Sequence, residues 1–257
     1  MKTIKLSTEA IDTGNLILVN HTHRLQYSLK KSMLTKVNTT DSDVLLERHT
    51  SVLLTELMTK IDGWKQIAAV SGWRSKQEQE ALYSQSLQDN GAVFTEKFVA
   101  SPDCSEHQTG MAIDLGIRRP EIDFIRPDFP YSGICQVFRE KAPEYGFVER
   151  YSQGKENITK IAHEPWHFRY VGTPHAAIMT ELGLSLEEYH DFIRQYRYGD
   201  RNYIYQDKNN VVEICFLPAE IGTETSFTIE QNAVYSISGN NSDGYILTVW
   251  RHCHGTR

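Results

Sequence analysis

The segment 111–117 alternates strictly between two kinds of side chain. One set is apolar and consists of Met111, Ile113, Leu115 and Ile117. The other set is small or acidic and consists of Ala112, Asp114 and Gly116. Successive side chains of a β-strand point to opposite faces, so this pattern predicts a half-buried strand. Asp114 is the single acid on the small-residue face, where its neighbours leave room for an ion and its water.

Helices and further strands are predicted on both sides of this segment. Apolar residues recur largely every three or four positions over 44–61, which is typical of an amphipathic helix, and Gly63 ends it. Ser75 and Glu78 form a capping box, in which each side chain satisfies a first-turn backbone amide, and that helix runs to about Asn90. Further predicted elements include strands over 15–20, 66–70 and 166–171 and a helix over 134–142.

Beyond Gly199 the pattern changes to short strand-like runs separated by Asn, Gly and Asp turns. A chain of 257 residues is long enough for one sizeable core and a small appendage. We therefore predict two domains, a catalytic domain over 1–199 and a β-rich C-terminal extension over 200–257.

The charge and the cysteines exclude several classes of partner. Lys and Arg number 27 against 33 Asp and Glu, a net charge of −6, so no global positive field attracts nucleic acid or anionic lipid. No N-terminal apolar run has the length of a signal peptide or a membrane span. The cysteine spacing fits neither a paired metal motif nor a dense disulfide framework, which predicts reduced thiols at Cys104, Cys135, Cys215 and Cys253. We expect a cytoplasmic protein without nucleic-acid or membrane partners, and the oligomeric state stays open.

Two segments together contain a set of metal ligands. His107 precedes Asp114, and His167 lies further along the chain. A straight chain between His107 and Asp114 extends about 23 Å, so both reach one ion only if the chain folds back, and Thr109-Gly110 can supply the bend. Two imidazoles and one carboxylate leave a fourth position open, which is typical of catalytic rather than structural zinc.

Residues 163–167 read His-Glu-Pro-Trp-His and formally match the H-E-x-x-H motif of helical zinc proteases. That motif needs a helix to place both histidines on one face. Pro165 disfavours a helix interior, and the following residues 168–171 favour a strand. The strand is the preferred interpretation, the helical protease is the alternative, and His163 is then a spare imidazole.

Glu164 and Arg74 complete a candidate peptidase site. Glu164 is the candidate general base, which takes a proton from the attacking water and delivers it to the leaving amine. Arg74, at a predicted strand-to-helix junction, can place a cation on the oxyanion of the tetrahedral intermediate. The alternatives are a surface carboxylate for Glu164 and a solvated cation at a helix start for Arg74.

Three segments carry a resemblance to a known family: Ser71-Gly-Trp-Arg-Ser75, Ser105-Glu-His107-Gln-Thr-Gly-Met-Ala-Ile-Asp114 and Glu164-Pro-Trp-His167-Phe-Arg-Tyr-Val-Gly172. They resemble those of the zinc D-Ala-D-Ala peptidases of the VanX/VanY group, which belongs with lysostaphin-type peptidases and hedgehog domains to the LAS zinc folds. The resemblance implies an α+β fold, with a central, mainly antiparallel sheet flanked by helices.

The resemblance also implies roles for individual residues. Zinc is expected on His107, Asp114 and His167, with Glu164 as the catalytic base and Arg74 as the transition-state cation. Gln79 and Ser105 are expected to contact a small peptide or peptidoglycan-precursor substrate.

The absence of a recognisable leader looks most like the bifunctional VanXY type. Such enzymes remove terminal D-alanine from the free dipeptide and from the cytoplasmic pentapeptide precursor, which lowers the vancomycin target. Pro165 occupies a position where a strict dipeptidase is expected to have an aromatic residue. Two alternatives stay open, an L,D-carboxypeptidase acting on muropeptides and a non-catalytic zinc-binding recognition module.

Overall fold

The structure, a computed structural model, describes residues 1–37, 42–207, 210–220 and 222–252. Packing divides the chain into two units. One unit combines Met1–Leu18 with Leu186–Arg257, and the other is Val19–Ser185.

The described residues contain twelve strands and seven α-helices. The strands are β1 (Lys2–Leu6), β2 (Leu34–Lys36), β3 (Leu45–Glu47), β4 (Ile67–Ser71), β5 (Ala112–Ile117), β6 (Phe147–Tyr151), β7 (Glu164–Tyr170), β8 (Tyr203–Asp207), β9 (Asn210–Pro218), β10 (Thr225–Ile229), β11 (Val234–Gly239) and β12 (Gly244–His252). The helices are α1 (Arg48–Lys60), α2 (Lys76–Asn90), α3 (Ala92–Phe98), α4 (Gly133–Lys141), α5 (Glu156–Thr159), α6 (His175–Leu182) and α7 (Leu186–Ile193).

The unit Val19–Ser185 is built on a four-stranded sheet in the order β4-β5-β7-β6. All three strand pairs are antiparallel. Alternate residues of β5 enter the apolar core, where α1 and α4 contribute further buried side chains: Ile113 and Leu115 with Leu54, Leu57, Met58, Cys135 and Phe138. The predicted α+β fold, with a central antiparallel sheet flanked by helices, is confirmed.

A capping box fixes the start of α2, and a strand pairing fixes the start of α1. The Ser75 hydroxyl accepts a bond from the Glu78 amide at 3.2 Å, and the Glu78 carboxylate accepts one from the Ser75 amide at 2.7 Å. The capping box and the helix to Asn90 are therefore confirmed. The helix predicted over 44–61 begins only at Arg48, because Leu45–Glu47 instead pairs with β2 as a strand.

The strand predicted over 15–20 is wrong. Residues 16–19 are buried, as their apolar character indicates, but they form no strand. The Leu18 amide instead donates to the Asn240 carbonyl, and the Leu18 carbonyl accepts from the Asn241 side chain. A run of apolar residues predicts burial, whereas a strand also needs a partner with free backbone groups.

The second unit contains a sheet in the order β11-β12-β9-β8 and a smaller pair, β1 with β10. The four predicted runs beyond residue 199 are strands. Because β1 pairs with β10, the first residues of the chain belong to this unit, together with α7. The packing boundaries at Leu18 and Ser185 thus differ from the predicted boundary near residue 199.

None of the helices in the described ranges combines the length and the apolar character that crossing a bilayer requires. Cys104, Cys135 and Cys215 are buried free thiols, as predicted. Cys253 lies outside the described residues.

Candidate active site

Asp114 and His167 face each other on neighbouring strands. Asp114 of β5 is the direct cross-strand partner of His167 in β7. The Asp114 Oδ1 atom lies 2.9 Å from His167 Nδ1. Side chains directly opposite on an antiparallel pair are close enough to share one ligand, so the pairing of β5 with β7 brings the two together.

His107 reaches the same place through a reversal of the chain. It lies in a short 3-10 helix, Glu106–Thr109, which ends at Gly110 with φ of 71°. A Cβ at Gly110 would lie 2.9 Å from the Glu47 amide nitrogen, so both the conformation and the space require glycine. The predicted bend at Thr109-Gly110 is present, and His107 Nε2 lies 3.0 Å from Asp114 Oδ2.

The three side chains form a group suited to a divalent metal ion. Their candidate ligand atoms lie within 4.8 Å of one another, and all three residues are buried. The Nδ1 atom of His107 lies 2.7 Å from the Gly72 carbonyl. Because a carbonyl only accepts, Nδ1 carries the proton and Nε2 is available as a ligand. Two imidazoles and a carboxylate fit zinc with an open coordination position.

The protonation of the two histidines differs in the metal-free chain. Burial, reinforced by the nearby Arg74 cation, lowers the pKa of His107 to about 4. Burial also acts against charge on His167, but the hydrogen-bonded Asp114 carboxylate and the nearby Glu106 carboxylate outweigh it and raise its pKa to about 9. His107 is therefore neutral at pH 7, whereas His167 would have to release a proton before its Nδ1 atom could bind a metal.

Glu164 is the first residue of β7 and is only 5% exposed. Its Oε2 atom lies 3.8 Å from His167 Nδ1. Burial raises the pKa of the Glu164 carboxyl to about 8, although the His167 cation opposes the shift. Glu164 thus places a buried, titratable carboxyl beside the metal-ligand group.

The structure contradicts the helical protease alternative for residues 163–167. Glu164–Tyr170 is a strand, so His163 and His167 do not share a helix face. His163 Nε2 lies 2.6 Å from the Tyr131 hydroxyl, and the two rings are stacked at 5.9 Å. His163 is not part of the metal-ligand group.

Arg74 is anchored by backbone contacts just beyond β4. A Cβ at Gly72 would lie 2.4 Å from the Leu45 carbonyl oxygen, and this close approach lets the Trp73 amide bond to the same carbonyl at 2.6 Å. The Arg74 amide donates to the His107 carbonyl at 3.3 Å. Burial lowers the pKa of the guanidinium, and its Nε atom has no hydrogen-bond partner among the described residues.

All the predicted site residues line one cavity: Arg74, Gln79, Ser105, His107, Asp114, Glu164 and His167. Gln79 is buried in α2, where its amide nitrogen donates to the Ala100 carbonyl at 2.6 Å. Its Oε1 atom is buried and has no partner within the described part of the chain. Ser105 is also buried at the cavity wall.

Comparison with known proteins places this geometry in a family. Residues 46–173 match the family model described as VanY, D-alanyl-D-alanine carboxypeptidase. The bifunctional D-Ala-D-Ala dipeptidase and carboxypeptidase VanXYC of Enterococcus gallinarum is 40% identical over 183 residues, covering 71% of this chain and 96% of that protein. The chain belongs to the VanY family. The predicted resemblance to the VanX/VanY group is confirmed.

Solved structures of VanY-family proteins share the fold. A D,D-dipeptidase, VanXYg, in complex with a D-Ala-D-Ala phosphinate analogue matches with a TM-score of 0.94 and 49% identity, covering 97% of this chain and 99% of that one. A mutant of the D,D-pentapeptidase VanY from a VanB-type resistance cassette, in complex with Zn(II), matches with a TM-score of 0.54 and 26% identity, covering 68% of this chain and 98% of that one.

Sequence reasoning missed a second group of charges next to this VanY-family site. Glu106 lies between the Arg150 and Arg169 guanidiniums, which outweigh the effect of burial and hold the pKa of its carboxyl well below the usual range. The ring of Tyr151 lies 4.9 Å from that of His167. Glu106 and Arg169 are within the motif segments, but only the pairing of β6 with β7 shows that Arg150 joins them.

Proposed function

We propose that this chain is a zinc-dependent D,D-peptidase. It removes terminal D-alanine from D-Ala-D-Ala and from the pentapeptide precursor of peptidoglycan, which lowers the vancomycin target. The observation that carries the proposal is the convergence of the metal-ligand group with Glu164 and Arg74 in one cavity. The activities named for VanXYC and VanXYg support the substrate class.

Zinc is the proposed cofactor, with His107, Asp114 and His167 as its ligands. The two imidazoles and the buried carboxylate suit this ion, and the Zn(II) complex of a VanY protein supports the choice. When bound, zinc supplies a Lewis acid that polarises the scissile carbonyl and stabilises its developing charge.

Glu164 is the proposed general base. Its side chain is buried beside the ligands, with Oε2 3.8 Å from His167 Nδ1, so it lies next to the place where a water molecule attacks a bound peptide. Glu164 takes a proton from the attacking water and then delivers it to the leaving amine.

Arg74 is the proposed stabiliser of the oxyanion. A buried guanidinium with an unpartnered Nε atom is a donor already oriented before substrate binds. Its position next to Asp114 and Glu164 within the cavity puts a fixed positive charge where the carbonyl oxygen becomes negative.

Gln79 and Ser105 are the proposed substrate contacts. Both are buried in the cavity wall, and Gln79 Oε1 lacks a partner within the ranges described. A peptide N–H that donates to this oxygen satisfies it, so a bound peptide removes the cost of burying an unpaired acceptor.

We also propose that the chain acts in the cytoplasm. Three of the four cysteines, Cys104, Cys135 and Cys215, are free thiols in the structure, which is usual for a reducing compartment. Cell fractionation tests this location: the proposed activity in the cytosolic fraction supports it, and the same activity mainly in the culture medium contradicts it.

The decisive experiment measures alanine released from three substrates by the purified, zinc-loaded protein. D-Ala-D-Ala, a pentapeptide ending in D-Ala-D-Ala and a tetrapeptide are each incubated with and without a chelator. We expect release from the dipeptide and the pentapeptide that the chelator abolishes and that zinc restores.

The same assay distinguishes the alternatives. Cleavage of the tetrapeptide alone rejects the D,D-peptidase in favour of an L,D-carboxypeptidase. No turnover of any substrate by fully zinc-loaded protein favours a recognition module. Glu164→Gln is the matched variant, because it keeps the shape of the side chain but removes the proposed proton acceptor.

A further inference from the structure

Three charged side chains are completely buried behind the proposed metal ligands. Glu106 precedes His107 in the 3-10 helix, Arg150 lies in β6, and Arg169 lies in β7. None of these side chains has any solvent exposure. Burying ions costs free energy even when they are paired, and apolar residues often stabilise a core as well. A fully buried ionic cluster is therefore weak evidence for stability, and its place beside the ligands points to another role.

The two oxygens of Glu106 have different surroundings. Oε1 accepts from Arg150 Nε at 2.9 Å and lies 3.0 Å from Arg169 Nη1. Oε2 lies 3.5 Å from Nε2 of His167. Within the described residues, neither Glu106 Oε2 nor His167 Nε2 has a hydrogen-bond partner that meets strict geometry. The two buried atoms face each other, one an acceptor and the other a potential donor.

The strand pattern produces this arrangement. His167 and Arg169 are two residues apart on β7, so their side chains point to the same face. Arg150 comes from the adjacent strand β6, next to the register shift between Glu149 and Tyr151. Glu106 enters from the turn that also delivers His107. One carboxylate thus connects the turn that carries one ligand to the strand that carries another.

A histidine that binds metal through one ring nitrogen has an N–H on the other, and an acceptor there fixes the tautomer and the ring orientation. His167 directs Nδ1 toward Asp114 and Nε2 toward Glu106. We propose that Glu106 is a positioning residue: it accepts the Nε2–H of His167 and so presents Nδ1 to the metal, while Arg150 and Arg169 hold its carboxylate in place.

The paired guanidiniums explain why this acceptor is a carboxylate. An amide oxygen at position 106 can accept from His167, but it leaves Arg150 and Arg169 without a counter-charge in a site that excludes water. Glu106 therefore serves both purposes at once: Oε1 neutralises the arginines, and Oε2 orients the imidazole. The proposal rests on the proposed zinc site and adds a residue that does not itself touch the ion or the substrate.

The first test uses the unaltered, zinc-loaded protein. NMR of the chain labelled with 15N at histidine is expected to show His167 protonated at Nε2 and His107 protonated at Nδ1, opposite tautomers for the two ligands. Glu106 as acceptor makes the His167 proton exchange slowly with water. An unprotonated His167 Nε2, or a rapidly exchanging proton there, overturns the proposal.

The second test measures zinc affinity by competition with a chelator. Glu106→Gln is expected to weaken zinc binding about 10–100-fold and to lower kcat with little change in KM, because a neutral amide is a weaker acceptor for the His167 N–H and is no longer held in place by ion pairs with Arg150 and Arg169. The control is Glu213→Gln, which removes a carboxylate that accepts from Arg251 at 3.1 and 3.2 Å in the other unit. Zinc affinity unchanged in folded Glu106→Gln protein overturns the proposal.

A combined variant addresses the case in which Glu106→Gln fails to fold. Replacing Glu106 with Met and both Arg150 and Arg169 with Leu removes all three charges together, so no buried ion is left unpaired. We expect this protein to fold and to bind zinc about 10–100-fold more weakly than the unaltered chain. Affinity equal to that of the unaltered chain contradicts a positioning role. If the unaltered chain itself binds no stoichiometric zinc, the proposed function fails first, which keeps the two failures distinct.

Discussion

Replacing the buried base is expected to stabilise the metal-free protein while removing its activity. Burial raises the pKa of Glu164 from an ordinary 4.5 to about 8. At pH 7 the folded chain therefore holds a proton that the unfolded chain has released. Each pKa unit corresponds to about 1.4 kcal/mol, so the roughly 2.5 pH units between 4.5 and 7 cost the folded state about 3 kcal/mol.

Glu164→Gln avoids this cost because the amide is neutral at every pH. The gain at pH 7 has an upper limit of about 3 kcal/mol, since the neutral amide must also replace the hydrogen bonds that the protonated carboxyl makes in the same buried position. Because the folded-state pKa is above the unfolded-state value, the unaltered chain loses stability as pH rises from 4.5 to about 8, and the variant does not. The two proteins are expected to be equally stable below pH 4.5.

The assay is urea unfolding in the presence of a chelator, followed by tryptophan fluorescence at several pH values. The control is Glu144→Gln, which replaces an exposed carboxylate paired with Lys141 and therefore removes no buried charge. With zinc restored, Glu164→Gln is expected to lose about 10²–10⁴ in kcat. Equal stability of variant and unaltered chain at pH 7, or unchanged peptide hydrolysis, refutes this reasoning.

Three further outcomes are expected. Zinc affinity, measured by chelator competition, is expected to rise with pH below about 9, because His167 must release its proton before it binds the ion. His107, with a pKa of about 4, adds no pH dependence near neutrality. A zinc affinity that does not change between pH 6 and 8 contradicts this prediction. Arg74→Met is expected to lower kcat about 10²–10³-fold without changing zinc affinity, and an unaffected kcat excludes its role at the oxyanion. Gly110→Ala, at φ of 71° and against the Glu47 amide, is expected to cost on the order of 1–3 kcal/mol in chemical unfolding, and full native stability argues against the tight turn.

The local signals near the candidate site agree with the structure better than those of some other segments. Alternation along β5 places Asp114 on the small-residue face, and Pro165 disfavours the helical interpretation of residues 163–167, which form a strand from Glu164 onward. Both signals are local in the sequence. In the structure, Asp114 and Glu164 line the same cavity. The residues 15–20 are also apolar but form no strand, because the Leu18 backbone bonds to the Asn240 carbonyl and to the Asn241 side chain rather than to a neighbouring strand.

Glu106 shows why part of the candidate site could not be predicted from the sequence. A glutamate next to a metal-binding histidine looks like an ordinary surface charge in the sequence. Its burial depends on Arg150 and Arg169, which are 44 and 63 positions away along the chain and meet only when β6 pairs with β7. Long-range pairing also explains why the packing units divide at Leu18 and Ser185 rather than near residue 199, because the pairing of β1 with β10 has no signal in either segment alone.

The direct opposition of Asp114 and His167 across two strands has a consequence for preparing the protein. A slip of one residue between β5 and β7 turns one of these side chains to the far side of the sheet. Misaligned molecules then lack a complete set of donors and retain no ion through dialysis. The molar ratio of metal to polypeptide in a dialysed sample therefore measures the fraction of molecules in which β5 and β7 pair in the correct register.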